Sequence, residues 1–190
     1  SGFGNTANGF QALLSNDTGN FNTVTGALAL RDNTTGDVNV ATGQQALFSN
    51  TQGGSNTAVG ASALFANTVG DNNVAIGFSA LHNNTGSANI ALGSGAGGAL
   101  TTGNTNIVIG NNVSGVAGEA NTMRIGGNQF RTFITGIRGV TTRVNDALNV
   151  VIDSAGQLGT MSSSRRFKKE IKPMDQASEA ILALNPVTFH

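Results

Sequence analysis

The sequence has no cysteine, so disulfide bonds cannot stabilise its fold and thiolate metal sites are excluded. Tryptophan and tyrosine are also absent, and charged residues make up only 11% of the chain. No apolar run approaches the roughly 18 residues of a membrane span, so no membrane insertion is expected in this segment. Disordered chains combine low hydrophobicity with high net charge, whereas this chain is 38% hydrophobic with a formal net charge of zero. The composition therefore favours regular stacking of small residues.

Asparagine recurs through the first two thirds of the chain at spacings of 15 to 17 residues. The series is Asn5, Asn22, Asn39, Asn56, Asn73, Asn89, Asn106 and Asn121. A glycine follows four residues after each of the first seven, at Gly9, Gly26, Gly43, Gly60, Gly77, Gly93 and Gly110. A leucine follows four residues later in the first five units, at Leu13, Leu30, Leu47, Leu64 and Leu81. Such self-similarity at a fixed period is the signature of a repeat architecture.

Each unit is too short for a helical hairpin, and its glycine-containing turns leave room only for short extended segments. In Asn73–Gly77, strand alternation places Val74 and Ile76 on one face and Asn73, Ala75 and Gly77 on the other. Strands that are apolar on both faces are normally covered on both sides. We therefore expect one face to fill the coil interior. The face of small residues is expected to pack closely against neighbouring chains around a trimer axis.

The repeated asparagines have a structural interpretation, because identical amides stacked about 4.8 Å apart can form a hydrogen-bonded ladder. The repeated glycines suit turns with positive φ. Asp17, Asp37 and Asp71 lie in such turns and are interpreted as structural. Calcium binding is the alternative, but these residues lack the dense carboxylates of calcium sites. The glycine-rich run 93–98 lacks the lysine of a phosphate loop, so no cofactor and no metal are expected.

Repeat by repeat, residues 1–118 resemble the β-roll heads of trimeric autotransporter adhesins, which use a related Asn-x-Ala-x-Gly strand with a shorter period. The resemblance implies a left-handed parallel roll in a homotrimer, although the longer period here leaves the handedness open. The predicted fold class is all-β: a repeat-built parallel β-solenoid with coils of 17 residues.

The composition changes after residue 118. Residues 1–118 contain five charged residues, and residues 119–190 contain the other fifteen. The region 119–161 is predicted to be a β-rich neck, in which a new pattern begins at Met123. Strands are predicted at 130–137 and 140–143, and a hairpin at 148–161. Four dispersed arginines lie in this region: Arg124, Arg131, Arg138 and Arg143. We interpret them as solvated strand residues or as members of inter-chain ion pairs, and not as a nucleic-acid site.

Residues 162–190 are predicted to begin a further domain. A short helix is expected from Asp175 to Leu184, followed by the start of a strand. One helix and one strand are too little to bury a core, so we expect this domain to be truncated in the 190-residue sequence.

The sequence SSSRRFKKEIKP at 162–173, with IDSAGQLG before it and ALNPV after it, resembles the start of a known module. That module is the C-terminal intramolecular chaperone of phage tailspikes, tail fibres and endosialidases, also found in membrane-bound myelin regulatory factors. The resemblance implies a trimeric domain that helps β-rich fibres assemble and is commonly released by self-cleavage with a Ser–Lys dyad. Its nucleophile corresponds to Ser163, its motif arginine to Arg166 and its base to Lys168. The acidic residue that usually follows the serine is replaced by Ser164.

Lysine can act as the base for a serine hydroxyl when burial or nearby cations lower its pKa. Arg165, Arg166, Lys169 and Lys172 would supply such cations. The alternative interpretation is a basic, solvated start to a helical domain, and the spacing alone does not separate the two.

These features predict a structural and adhesive trimeric fibre segment, from a phage-like tail fibre or a bacterial surface fibre, located outside the cell or on a virion. The partners are other copies of the chain and a cell-surface glycan or protein receptor, with no nucleic acid. The alternative function is a self-cleaving Ser–Lys peptidase acting near Ser163, which we do not expect to be active in this segment. A depolymerase is disfavoured because the repeats offer no paired carboxylates on adjacent coils.

Overall fold

Ten strands of three residues form two separate sheets in the computed structural model, which describes residues 1–129, 131, 150–152, 154 and 158–160. The chain divides into two compact units, Ser1–Thr132 and Phe133–His190. The strands of the first unit are β1 Thr6–Asn8, β2 Thr23–Thr25, β3 Val40–Thr42, β4 Thr57–Val59, β5 Val74–Ile76, β6 Ile90–Leu92, β7 Ile107–Ile109 and β8 Met123–Ile125. Those of the second unit are β9 Val150–Ile152 and β10 Leu158–Thr160.

The first sheet is a parallel ladder in which each strand pairs with the next one along the chain, from β1 to β8. Equivalent residues are in register: Thr23 pairs with Val40, which pairs with Thr57. Successive strands are 16 or 17 residues apart, so each connection is one coil of a solenoid. The predicted all-β parallel solenoid is confirmed, and no helix occurs among the described residues.

Backbone hydrogen bonds also stack the coils outside the strands, for example at two places in each coil. After the strand, the Leu47 N–H donates to the Ala63 carbonyl at 2.9 Å. In the turn that follows, the Thr51 N–H donates to the Thr68 carbonyl at 2.9 Å. Each coil is therefore bonded to the next along at least three lines, and a sideways shift of one coil would break hydrogen bonds on all of them.

The interior of the solenoid is narrow and is filled by small residues from within one chain. The middle residue of each strand points inward, and Ala41, Ala58, Ala75 and Ala91 are fully buried. The opposite wall supplies an alanine and a leucine per coil, such as Ala46 and Leu47, which are also fully buried. The strand alternation was predicted correctly, but the assignment of the alanine face to contacts between chains was wrong. The alanines lie inside the coil because only small side chains fit opposite the leucines.

The repeat asparagines form the predicted amide ladder, here called the first asparagine ladder. The Oδ1 of Asn39 accepts hydrogen bonds from the Asn56 backbone N–H at 3.0 Å and from its Nδ2 at 3.1 Å. The Nδ2 of Asn39 donates across the coil to the Gly53 carbonyl at 2.8 Å. Asparagines 22 to 106 of this series are fully buried, so these bonds replace those that water would make.

The last member of the series is displaced by one residue. Thr122, not Asn121, continues the ladder, because its N–H donates to the Asn106 Oδ1 at 3.1 Å. The new pattern that the sequence begins at Met123 is also part of the solenoid: Met123–Ile125 pairs in parallel register with β7. The stacking therefore extends one strand further than the repeat predicts.

A second asparagine ladder runs through the opposite turn, at Asn16, Asn33, Asn50, Asn67 and Asn84. The Nδ2 of Asn67 donates to the Asn50 Oδ1 at 2.8 Å. The next link is missing, and the buried Asn67 Oδ1 and Asn84 Nδ2 have no hydrogen-bond partner among the described residues. The break falls in the coil between β5 and β6, where Asn84-Thr85-Gly86 is one residue shorter than the equivalent turn of the preceding coil. Removing one residue from the turn displaces the amide from its partner.

The next coil replaces the buried leucine and asparagine together. Gly97 takes the position of Leu81, and Leu100 takes that of Asn84: the Leu100 N–H donates to the Gly97 carbonyl at 3.0 Å, as the Asn84 N–H does to the Leu81 carbonyl at 3.1 Å. A Cβ on Gly97 would lie 2.7 Å from the Leu81 Cδ2 and 3.3 Å from the Leu100 Cδ1. The Leu100 side chain thus occupies volume that a leucine at position 97 would fill.

Eighteen non-glycine residues of the solenoid have positive φ, at three repeated positions of the coil. In one coil they are Gln45 at 58°, Leu47 at 53° and Ser55 at 58°. This conformation costs roughly 1 kcal/mol for a residue with a Cβ. The stacking compensates: the Gln45 N–H donates to the preceding coil and the Leu47 N–H to the following one. The repeat glycines are also confirmed at positive φ, and a Cβ on Gly43 would lie 2.6 Å from the Gly60 carbonyl carbon.

In the second unit, β9 and β10 pair antiparallel, with Ile152 opposite Leu158. This confirms the predicted hairpin. The strands predicted at 130–137 and 140–143 and the helix predicted at Asp175–Leu184 lie outside the described residues.

We expect Asn39→Ala to lower the free energy of unfolding by about 2 kcal/mol, because it leaves the buried Asn56 N–H without a partner and removes one of the two hydrogen bonds to the Gly53 carbonyl. Denaturant unfolding followed by far-ultraviolet circular dichroism measures the loss. Asn111→Ala, at an exposed position, is the matched control and should change stability by less than about 0.5 kcal/mol. Equal losses in the two variants would contradict the role of the ladder.

Candidate functional surfaces

The predicted catalytic residues Ser163 and Lys168 lie outside the described residues, as do Ser164 and Arg166. The proposed dyad therefore stays a prediction from the sequence. The described surfaces that follow belong to the solenoid.

Exposed aliphatic side chains lie on the outward face of the eight-stranded sheet, which consists of the first and third residues of β1–β8. These side chains stand opposite the buried middle residue of each strand. Ile76, Ile90 and Leu92 are 40%, 41% and 47% exposed, although they are large and aliphatic. Because the coil interior is complete without them, the folding of one chain does not account for their apolar character.

A stack of planar groups runs along a different side of the solenoid. The rings of Phe48 and Phe65 are parallel within 6° with centroids 5.0 Å apart, and Phe65 stacks on His82 in the same way at 5.0 Å. The Arg31 guanidinium lies 4.0 Å from the Phe48 ring centroid, and its Nε donates to Asp32 at 2.7 Å. The four groups cover each other's faces and are half-buried. The stack therefore adds cation–π and aromatic contacts between coils.

The 17-residue repeat did not predict this stack, although a signal for it is present in the sequence. Residues 31, 48, 65 and 82 are 17 apart, each following the leucine of its repeat. Arginine, phenylalanine and histidine all have planar side-chain groups but belong to different chemical classes. The position is therefore occupied by different residue types from one repeat to the next, and it does not stand out in the repeat pattern.

Polar side chains in the exposed turns bond to the backbone of the preceding coil. The Oδ1 of Asp37 accepts from the Asn20 N–H, and the Oδ1 of Asp71 accepts from the Gly54 N–H at 2.7 Å. Asp71 in turn donates its N–H to the Ser87 hydroxyl at 3.0 Å. These contacts support a structural role for Asp37 and Asp71. In the part of the chain that the structure describes, no group of three or more histidine, cysteine or acidic residues is placed to hold a metal ion.

The C-terminal end of the first unit carries a charged pair at an inward position. Arg124 stands beside the fully buried Val108 in the register of β7 and β8. Its Nε and Nη2 donate to the two carboxylate oxygens of Glu119 at 3.0 and 2.7 Å. The backbone carbonyl of Glu119 also accepts a hydrogen bond from the Asn106 Nδ2, at the position where a glycine carbonyl accepts it in earlier coils. Arg124 was predicted to be a solvated residue or part of an inter-chain ion pair; its side chain is 40% exposed, and its ion pair is with Glu119 of the same chain.

Comparisons with protein-family models, with curated proteins and with solved structures find no match. Among the described residues, no helix has the length and apolar character needed to span a bilayer.

The Glu119–Arg124 pair should make stability depend on pH. The hydrogen bonds from Arg124 lower the pKa of Glu119 below its ordinary value of 4.5. A carboxyl group whose pKa is lower in the folded state stabilises the fold above its unfolded pKa, and the contribution is lost as pH falls through the folded pKa. We expect Glu119→Gln to cost about 1 kcal/mol at pH 7, and this difference to shrink below pH 4.5.

Urea unfolding of the wild-type protein and of Glu119→Gln, at pH values from 7 to 3, measures the difference in their free energies of unfolding. Asp32→Asn is the control, because it removes an ion pair with Arg31 whose side chains are 33% and 34% exposed. A Glu119→Gln difference that stays constant with pH would contradict the assignment.

Proposed function

We propose that this chain is a structural and adhesive segment of a fibre, either a phage-like tail fibre or a bacterial surface fibre, and that it works as a homotrimer. The observation that carries the proposal is the exposed aliphatic outward face on a coil whose interior is already filled. Such a surface lowers the solubility of a single molecule, and covering it with another chain stabilises the assembly.

The architecture suits a fibre. Seven steps of about 4.8 Å give a rod of roughly 34 Å. Hydrogen bonds along three lines, with two asparagine ladders inside, hold the coils in one register. The turns display threonine, asparagine and aspartate to solvent and so offer hydrogen-bonding groups to a cell-surface glycan or protein. These features support an extracellular or virion location.

Residues 162–190 contribute the second part of the proposal: they begin an intramolecular chaperone domain that aids trimer assembly. This part is supported by the sequence motif at 162–173 and by its flanking segments. A parallel solenoid exposes an unpaired strand edge at its growing end during folding, which favours aggregation. A domain that brings three copies together would shorten that exposure.

The trimer is tested by the mass in solution. Light scattering coupled to size exclusion should give three times the 19.2 kDa chain mass, because three outward faces can close around one axis. The measurement is made over a hundredfold range of concentration to separate a stable trimer from weak association. A mass of one chain throughout would contradict the proposal.

A second function, self-cleavage near Ser163, is favoured by the five-residue spacing of Ser163 and Lys168 in a motif that resembles the self-cleaving module. In a version that carries the whole chaperone domain, we expect a released C-terminal fragment on denaturing gels. Ser163→Ala should abolish the fragment, and Lys168→Met should do the same because the base is lost. Ser162→Ala is the matched control. Identical band patterns in all four proteins would exclude the peptidase.

A further inference from the structure

The outward face of the sheet changes composition at its midpoint. In β1–β4 six of the eight outward side chains are polar: Thr6, Asn8, Thr23, Thr25, Thr42 and Thr57. In β5–β8 all eight are apolar: Val74, Ile76, Ile90, Leu92, Ile107, Ile109, Met123 and Ile125. The inward positions show no such change before β8, since alanine or valine fills the middle of every strand from β1 to β7. The difference therefore concerns what the two halves meet outside the chain.

The apolar half is open to solvent. Ile76, Ile90 and Leu92 are 40–47% exposed and Ile125 is 65% exposed, while Val74, Ile107 and Ile109 are half-buried. Together the eight side chains expose on the order of 500 Å² of contiguous apolar surface, near the upper limit for a monomer. A standard interface buries roughly 800 Å² per partner, of which about 60% is apolar. The patch thus has the apolar area that one subunit contributes to a specific interface.

The geometry of the patch favours a second copy of this chain as its occupant. Its side chains form rows repeated at each rung, about 4.8 Å apart. A partner can contact all four rungs in the same way only if its own side chains repeat with the same spacing. A second copy of the chain, related by rotation about an axis parallel to the solenoid, has this spacing at every rung. No outward side chain of β5–β8 is charged, so like charges do not oppose the contact. None of the described residues of the chain itself covers the patch.

We propose that copies of this chain associate through the outward face of β5–β8, and that the outward face of β1–β4 contributes little to the association. This inference rests on the homotrimer proposed above and adds where the trimer is held. The threonine hydroxyls of the N-terminal half stay hydrated or bond to each other through water, because burying them without partners would cost stability.

The test compares the same substitution at equivalent positions of the two halves. Val40 and Val74 are both the first residue of their strands, β3 and β5. Threonine occupies this position naturally in β2 and β4, so the fold accepts Val→Thr. We expect Val74→Thr to raise the dissociation constant of the trimer at least about tenfold, because each copy buries one hydroxyl in the contact. Val40→Thr should change it by less than about threefold.

Sedimentation equilibrium of the full chain gives the dissociation constants, and far-ultraviolet circular dichroism verifies that each variant is folded. A third variant works in the opposite direction: Thr57→Val, next to the apolar half, should tighten association by about threefold.

The outcomes separate this inference from the proposed function. A trimer that weakens equally in Val40→Thr and Val74→Thr overturns the location of the contact and leaves the fibre proposal standing. A wild-type chain that is monomeric at every concentration overturns both. A wild-type monomer that Val74→Thr destabilises would assign the patch to another segment of the same chain, which also overturns the inference.

Discussion

The buried carboxamide of the repeat asparagine is the interaction on which the rest of the solenoid depends. A coil of about 17 residues encloses too little apolar volume to form an ordinary core, since it buries one leucine and two alanines. A carboxamide of the first ladder, such as that of Asn39, instead links three backbone elements: its own strand, the strand of the next coil and a carbonyl across the coil. A hydrogen bond between buried groups is worth little net, but a missing one is costly. The ladder therefore acts mainly by excluding every register except the one in which all the amides are paired.

Much of this architecture follows from the sequence, because the ladder repeats both its residues and its spacing. The period predicts the coils, the asparagines predict the amide ladder, and the glycines predict the positive φ found at Gly43 and its equivalents. Which strand face lies inside does not follow, since alternation separates Ala75 from Ile76 without assigning either to the interior. That choice depends on the coil width, which the leucines of the opposite wall determine. The repeat pattern also does not predict the stack of Arg31 on Phe48, because stacking requires only a planar group and several residue types have one.

The irregular coils show how closely the interior positions are coupled. Loss of one residue from the turn at Asn84 leaves two buried amide atoms unpaired, and in the next coil a leucine replaces the asparagine of that ladder. This replacement is compatible with the leucine position of the same coil only because Gly97 has no side chain there. Gly97 has a positive φ of 68°, as Leu81 has at the equivalent position, but without the strain that a Cβ adds in this conformation. The replacements at positions 97 and 100 thus compensate one another in volume, and the glycine also suits the backbone conformation, whereas the two amide atoms at the shortened turn stay unpaired.

The same coupling explains why the variation of this repeat lies on its outside. An inward alanine contacts the coil above, the coil below and the opposite wall, so a larger residue there would disturb three neighbours. An outward residue of the same strand meets only its equivalents on adjacent rungs, and Thr23, Val40 and Thr57 follow one another without any change of register. The fold therefore leaves the outward face free to be polar along one half and aliphatic along the other. Arg124 shows the contrast with the outward face, because this charged residue at an inward position is paired with Glu119 of the same coil.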